Sequence, residues 1–230
     1  MITTIGFDAD DTLWHTETLF EKTHQKYKEL LSRYHDSKTV ETTLYATEMR
    51  NLELFGYGIK SFTLSAIETA ITLTNGKISA DEIKIILDFS KKMLRHPVEL
   101  LAGVPETLHF LSKHYKIILI TKGDLRDQER KFSESDLSPY FKYSEIVSEK
   151  TVSTYKKILH RYKIAPENFL MVGNSLKSDI IPILELGGTA VYLPYPLTWA
   201  HEKACLPPKD HNYFYQLEHI EELPALLTTL

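Results

Sequence analysis

Asp8-Ala9-Asp10-Asp11-Thr12 follows directly on the apolar run Ile2–Phe7, and three further polar segments follow apolar runs in the same way. They are Thr121-Lys122-Gly123 after Ile117–Ile120, Lys150 after Tyr143–Val147, and Gly173-Asn174-Ser175-Leu176-Lys177-Ser178-Asp179 after Phe169–Val172. Together these residue types fit phosphoryl transfer. An aspartate such as Asp8, ionised near neutral pH, can attack phosphorus without a separate base. A divalent cation would offset the repulsion between the two approaching anions, and Asp8 and Asp179 offer the hard oxygen donors that Mg2+ prefers. Asp10 could protonate the leaving oxygen and then activate water. For that role its pKa must rise, and a second carboxylate nearby pushes it that way. The Thr121 hydroxyl and adjacent backbone N–H groups could donate to phosphoryl oxygens, while Lys150 neutralises their charge.

Each part alone has an ordinary structural use. Acidic clusters after strands form turns or cap helices, and Gly173-Asn174-Ser175 reads as a turn with Ser178 or Asp179 capping the next helix. The weight comes from their order at the ends of successive apolar runs, because ligands of open parallel sheets bind at the carboxyl ends of the strands.

Those ends must be held by a particular architecture. Strands are expected at Ile2–Phe7, Ile117–Ile120, Tyr143–Val147, Phe169–Val172, Thr189–Leu193 and Tyr213–Tyr215. Helices are expected between them near Pro105–His114, Thr151–Tyr162 and Ser178–Leu186, the last closed by Gly187-Gly188. Such alternation means right-handed βαβ units and a parallel sheet. Residues 16–96 read differently. Leu19, Phe20, Tyr27, Leu30, Leu31 and Tyr34 mark one apolar helix face, and Val40, Leu44, Leu52 and Phe55 a second. Phe62, Ile67, Ile71 and Thr74 mark a third, ending at Asn75-Gly76. A fourth opens at Ser79 with Glu82 in capping-box spacing and stops at His96-Pro97. The expectation is an α/β core of residues 1–15 and 97–230 with a helical cap of residues 16–96 inserted after its first strand.

The 230 residues carry 27 basic and 31 acidic side chains, a net charge of −4, and 43% are hydrophobic. This balance argues against an electrostatic nucleic-acid partner. The single cysteine, Cys205, forms no internal disulfide, and no stretch has the length of a membrane span. A soluble cytoplasmic protein without a membrane partner is expected. The ten histidines form no spaced metal cluster. No heptad pattern specifies an oligomer.

Phe7-Asp8-Ala9-Asp10-Asp11-Thr12-Leu13 resembles the first motif, DxDxT, of the haloacid dehalogenase superfamily, with Asp8 matching the nucleophile and Asp10 the acid/base. Ile118-Leu119-Ile120-Thr121 resembles the second motif, with Thr121 as the phosphate-binding hydroxyl beside Lys122 and Gly123. Lys150 best matches the third-motif lysine, and Gly173-Asn174-Ser175 with Asp179 the fourth, metal-binding motif. The resemblance covers essentially the whole chain, and residues 97–111 resemble the return from a cap of the C1 type. It implies a Rossmann-like core, an aspartyl-phosphate intermediate, and Mg2+ held by Asp8, Asp179, Asn174 and the backbone carbonyl of Asp10. Two departures stand out. Asn174 occupies a position where many members have an acid, so the site carries one negative charge fewer. Thr151, rather than a proline, follows Lys150, and Lys156 and Lys157 lie nearby.

The expected activity is hydrolysis of a small phosphomonoester metabolite. A phosphomutase of the same superfamily is the alternative. A metal-independent 2-haloacid dehalogenase is disfavoured by the presence of Asp10, and a catalytically silent binding protein is favoured only by Asn174. Specificity is expected from the cap, where Tyr57 or Lys60 in Leu54–Lys60 could touch the leaving group. Tyr192–Trp199 could form a lid or wall at the sheet edge.

Overall fold

The computed structural model describes residues 1–202, 204–207 and 212–230. Its strands are β1 (Thr4–Phe7), β2 (Lys116–Lys122), β3 (Tyr143–Val147), β4 (Phe169–Gly173), β5 (Thr189–Tyr192) and β6 (Phe214–Gln216). All pair in parallel, in the order β3-β2-β1-β4-β5-β6. The helices are α1 (Glu17–Leu31), α2 (Ser37–Phe55), α3 (Ile59–Leu73), α4 (Ala80–Leu94), α5 (Val104–Leu111), α6 (Leu125–Glu134), α7 (Val152–Arg161), α8 (Ile181–Glu185) and α9 (Leu223–Leu227). Among the described residues no helix is long and apolar enough to cross a membrane.

The chain divides into two compact units. One comprises residues 1–17, 98–122 and 128–230 and contains the sheet. Strand side chains alternate between faces, so consecutive apolar residues serve two separate cores. Ile117 and Leu119 pack with Ile5, Phe7, Leu108, Leu111 and Leu223. Ile118 and Ile120 pack with Tyr155, Ile158, Phe169, Met171 and Ile183. Both faces of the sheet are thus covered, as a parallel sheet requires. After β1 the chain pairs with its own return path: His15 N–H donates to the Glu99 carbonyl at 2.9 Å and Leu101 N–H to the Leu13 carbonyl at 2.9 Å.

The other unit comprises residues 18–97 and 123–127. Tyr27, Leu31, Val40, Leu44, Phe62, Ala66, Ile86 and Met93 form its core. Asp36 caps α2, and Ser79 with Glu82 closes the expected capping box of α4. Residues 123–127, placed with the core by sequence, belong here: Lys60 Nζ bonds both carboxylate oxygens of Asp124 at 2.9 Å.

Two features depart from expectation. Helix α6 is absent from the sequence reading because Leu-Arg-Asp-Gln-Glu-Arg-Lys-Phe-Ser-Glu offers almost no apolar stripe. The helix expected from Ser178 is instead a π-helical turn, Leu176–Ile180, running into α8. Pro182 explains part of this change. It lacks the N–H that would bond the Ser178 carbonyl in an α-helix, and the Tyr155 hydroxyl donates to that carbonyl instead, at 3.0 Å.

Candidate active site

Asp8 is the first residue beyond β1, and its N–H donates to the Val172 carbonyl of β4 at 2.9 Å. The chain then turns tightly, because the Ala9 carbonyl accepts from the N–H groups of Thr12 and Leu13. Asp11 sits at φ 60° in that turn. Its carboxylate accepts from the backbone N–H groups of Thr16 and Glu17, at 2.8 and 3.0 Å. Asp11 therefore serves the start of α1, where backbone donors lack helical partners. Burial pushes its carboxyl up to about 7.

Lys150 joins Asp8 to Asp179. Its Nζ donates to Asp8 Oδ1 and, at 2.7 Å, to Asp179 Oδ1, with the side chain only 2% exposed. The second Asp179 oxygen accepts from the Ser175 N–H at 3.0 Å. A side chain at Gly173 would overlap this carboxylate, so the glycine permits the close approach. Burial lowers an ammonium's pKa, but Asp179 and Asp8 outweigh it and hold Lys150 above the ordinary lysine value. Burial drives the Asp8 carboxyl the other way, to about 7, against the pull of Lys150 and with Asp179 adding to the rise. Two carboxylates share one ammonium here. Lys156 and Lys157 are exposed on α7.

Asp10 is held by four side chains. Its Oδ1 accepts from Trp14 Nε1 at 2.7 Å, Thr16 Oγ1 at 2.7 Å and Lys131 Nζ at 2.6 Å. Its Oδ2 accepts from Gln128 Nε2 at 3.0 Å. The expected rise in its pKa is not found. Burial does raise it, but Lys131 and the hydroxyl and indole donors prevail and hold the carboxyl below the usual range. In this arrangement Asp10 is an anion able to receive a proton. Gln128 Nε2 also donates to Thr121 Oγ1, at 2.6 Å. Gln128 and Lys131 lie on α6, and with that helix unrecognised nothing in the sequence singled them out. Trp14 and Thr16, four and six residues after Asp10, could have been sought as local partners.

Lys122, next to Thr121, turns towards another anion. Its Nζ bonds Glu202 Oε1 at 2.5 Å and Ser178 Oγ at 2.9 Å. Glu202 Oε2 accepts from the Ser175 and Ser178 hydroxyls at 2.5 and 2.6 Å. Burial would raise the Glu202 pKa, but Lys122 and the two serines bring it down from 4.5 to about 2. Its contribution to stability is therefore complete above about pH 5 and drains away as pH falls from 4.5 towards 2. Glu202→Gln is expected to lower unfolding free energy by roughly 2–3 kcal/mol at pH 7. Urea titrations should show the gap to wild type closing near pH 3, and an equal gap at both pH values would contradict this reading. Gly123 follows Lys122 at φ 146°, a conformation that suits glycine. Tyr195, in the segment expected to form a wall, has its hydroxyl 2.6 Å from His15 Nδ1.

The oxygen donors near Asp8 suit a small hard cation. One terminal atom of the Asn174 amide lies 3.2 Å from Asp8 Oδ2 and 3.3 Å from the Asp10 backbone oxygen. With nitrogen at that place the amide donates to both. With oxygen there, it faces two other oxygens at separations somewhat above the octahedral edge of about 2.9 Å that Mg–O bonds of about 2.0–2.1 Å produce. Among the described residues no group of three or more His, Cys, Asp and Glu side chains is arranged for a metal. The atoms brought together are one carboxylate, one amide and one backbone carbonyl, and the Asp179 carboxylate meets Asp8 on the Lys150 ammonium.

The chain as a whole is similar to known proteins. Human N-acylneuraminate-9-phosphatase is 25% identical over 98% of this chain and 94% of its own length. The crystal structure of a haloacid dehalogenase-like family hydrolase from Xanthomonas campestris shares 39% identity, with a TM-score of 0.89 over 99% of this chain and 91% of that one. The HAD-hydrolase YfnB from Bacillus subtilis, solved bound to magnesium, has the same fold at 18% identity and a TM-score of 0.68, with 98% of each chain covered. Residues 2–187 match the haloacid dehalogenase-like hydrolase family, and the chain belongs to it.

Proposed function

We propose that this hydrolase is a Mg2+-dependent phosphatase that cleaves a small phosphomonoester through a phosphorylated Asp8. The observation that carries this reading is the buried Asp8 carboxylate, held by Lys150 and flanked by Asn174 and the Asp10 carbonyl. Asp8, Asn174 and the Asp10 carbonyl would hold Mg2+, which screens the charge between carboxylate and phosphoryl group when bound. Lys150 orients Asp8 and stabilises equatorial phosphoryl oxygens, and the Thr121 hydroxyl donates to another. Asp10, as an anion fixed by Lys131 and Gln128, takes the proton of the water that hydrolyses phospho-Asp8. In the first step it must carry a proton for a basic leaving group. The phosphatase name of the human relative and the magnesium in the YfnB structure support this assignment.

A leaving group that needs no proton isolates the chemistry at Asp8, so p-nitrophenyl phosphate is a suitable first substrate. Hydrolysis is expected with Mg2+, with loss of nearly all activity in EDTA and recovery when Mg2+ is restored. Turnover that continues in EDTA would remove the metal from the mechanism. Failure to hydrolyse this ester or any of a panel of sugar and nucleoside monophosphates would remove the phosphatase reading.

A further inference from the structure

Thr121 and Asp10 meet on a single side chain, that of Gln128. The residue is 2% exposed, and its Nε2 lies 2.6 Å from Thr121 Oγ1, 3.0 Å from Asp10 Oδ2 and 3.2 Å from the Lys122 carbonyl. The orientation of its amide is decided by chemistry. An ionised carboxylate and a backbone carbonyl only accept, so the end facing them is the NH2. The same NH2 then faces Thr121 Oγ1, which must accept from it, since an amide nitrogen is not an acceptor. A hydroxyl has one proton. With its oxygen receiving Gln128, the proton of the buried Thr121 hydroxyl points elsewhere. Among the described residues the hydroxyl makes no hydrogen bond in which Thr121 Oγ1 is the donor.

We infer that Gln128 is a positioning residue that fixes the polarity of the Thr121 hydroxyl, leaving its proton to a phosphoryl oxygen, and ties that hydroxyl to the Asp10 carboxylate. This rests on the phosphatase reading, in which Thr121 faces the phosphoryl group. The inference concerns the direction of one hydrogen bond and needs no movement of the backbone. Without Gln128 the Thr121 hydroxyl can rotate, and its proton is no longer reserved for the ligand. Gln128 itself does not touch the phosphoryl group. Its effect on phosphate binding must pass through Thr121.

A double-mutant cycle read by phosphate binding tests this. Inorganic phosphate is titrated calorimetrically, with Mg2+ present, into wild type, Gln128→Met, Thr121→Val and the double variant. Methionine is close to glutamine in size and has no N–H. Thr121→Val is expected to weaken phosphate about tenfold or more, as for loss of a hydrogen bond to a charged group. Gln128→Met should weaken it roughly three- to tenfold, as for loss of part of such a bond. The double variant should bind like Thr121→Val alone. Should the valine variant not fold, Thr121→Ser serves in its place: it keeps the hydroxyl, and Gln128→Met must then act as strongly as in wild type.

Two results overturn the inference while leaving the phosphatase reading intact. One is unchanged phosphate binding in Gln128→Met. The other is a double variant whose loss is the product of the two single losses. If wild type neither binds phosphate nor hydrolyses a phosphomonoester, the inference falls together with the reading on which it rests.

Discussion

Asp8→Asn is expected to lower kcat for p-nitrophenyl phosphate by at least about 10^4-fold, because an amide cannot take up the phosphoryl group. The same variant should unfold no more easily than wild type. The Asp8 carboxyl is buried and its pKa is raised to about 7, so the fold disfavours its charge. Asparagine has the same shape and leaves Lys150 paired with Asp179 alone, one ammonium to one carboxylate. Stability and activity should therefore separate at this position. Paired measurements of steady-state rate and urea midpoint check both parts. Retention of more than a few per cent of the wild-type rate would exclude Asp8 as the nucleophile.

Lys150→Met is expected to damage both properties. The variant leaves Asp8 and Asp179 facing one another in a site without water-exposed area to spare. Breaking a buried pair from one side costs about 3–5 kcal/mol. The kcat/KM for the same ester should also fall by about 10^2–10^3-fold, the usual loss on removing one group that stabilises transition-state charge. The unfolding defect has a direction in pH. Without the ammonium the Asp8 carboxyl, already raised by burial, is raised further above its unfolded value, so the folded state holds a proton that the unfolded state releases. Stability of the variant should thus improve as pH falls from 8 towards 5. A variant equally stable as wild type at pH 8 would show that Lys150 does not neutralise this pair. The contrast between the two substitutions is informative in itself: one removes a charge the fold tolerates poorly, the other removes the charge that makes it tolerable.

The parts of this site that the sequence revealed are those announced by a sharp local change. Asp8, Thr121 and the Gly173–Asp179 segment each follow a largely apolar buried strand, and such strands read as near-continuous apolar runs, whereas Lys150 follows the half-exposed edge strand β3. The cap helices were legible for a similar reason, since each has an apolar face and α4 has its capping box. Helix α6 has neither. It presents Gln128 and Lys131 to the half-buried Asp10, and polar side chains employed on such a partner look, in sequence, like those of a solvated surface. Glu202 was hidden in another way. It stands 80 residues from Lys122 and 24 from Ser178, just beyond the Tyr192–Trp199 segment and outside any motif. The fall in the Asp10 pKa was missed with them, because Asp8 and Asp11 are neighbours in sequence whereas Lys131 is brought in by the fold.

The central position of β1 sets the order in which the molecule can be completed. Ile5, Gly6 and Phe7 leave the ribosome well before their strand partners, which are Ile117–Leu119 on one side and Leu170–Val172 on the other. A strand whose contacts are so remote in sequence is slow to close. During synthesis it must wait as an unpaired apolar segment while residues 18–97, whose core is drawn from that stretch alone, can already gather around Tyr27, Phe62 and Ile86. Asp8, at the end of β1, is thus translated before its partners and acquires its surroundings only after Asp179 has been made. A nascent chain shorter than this has the first motif and no active site.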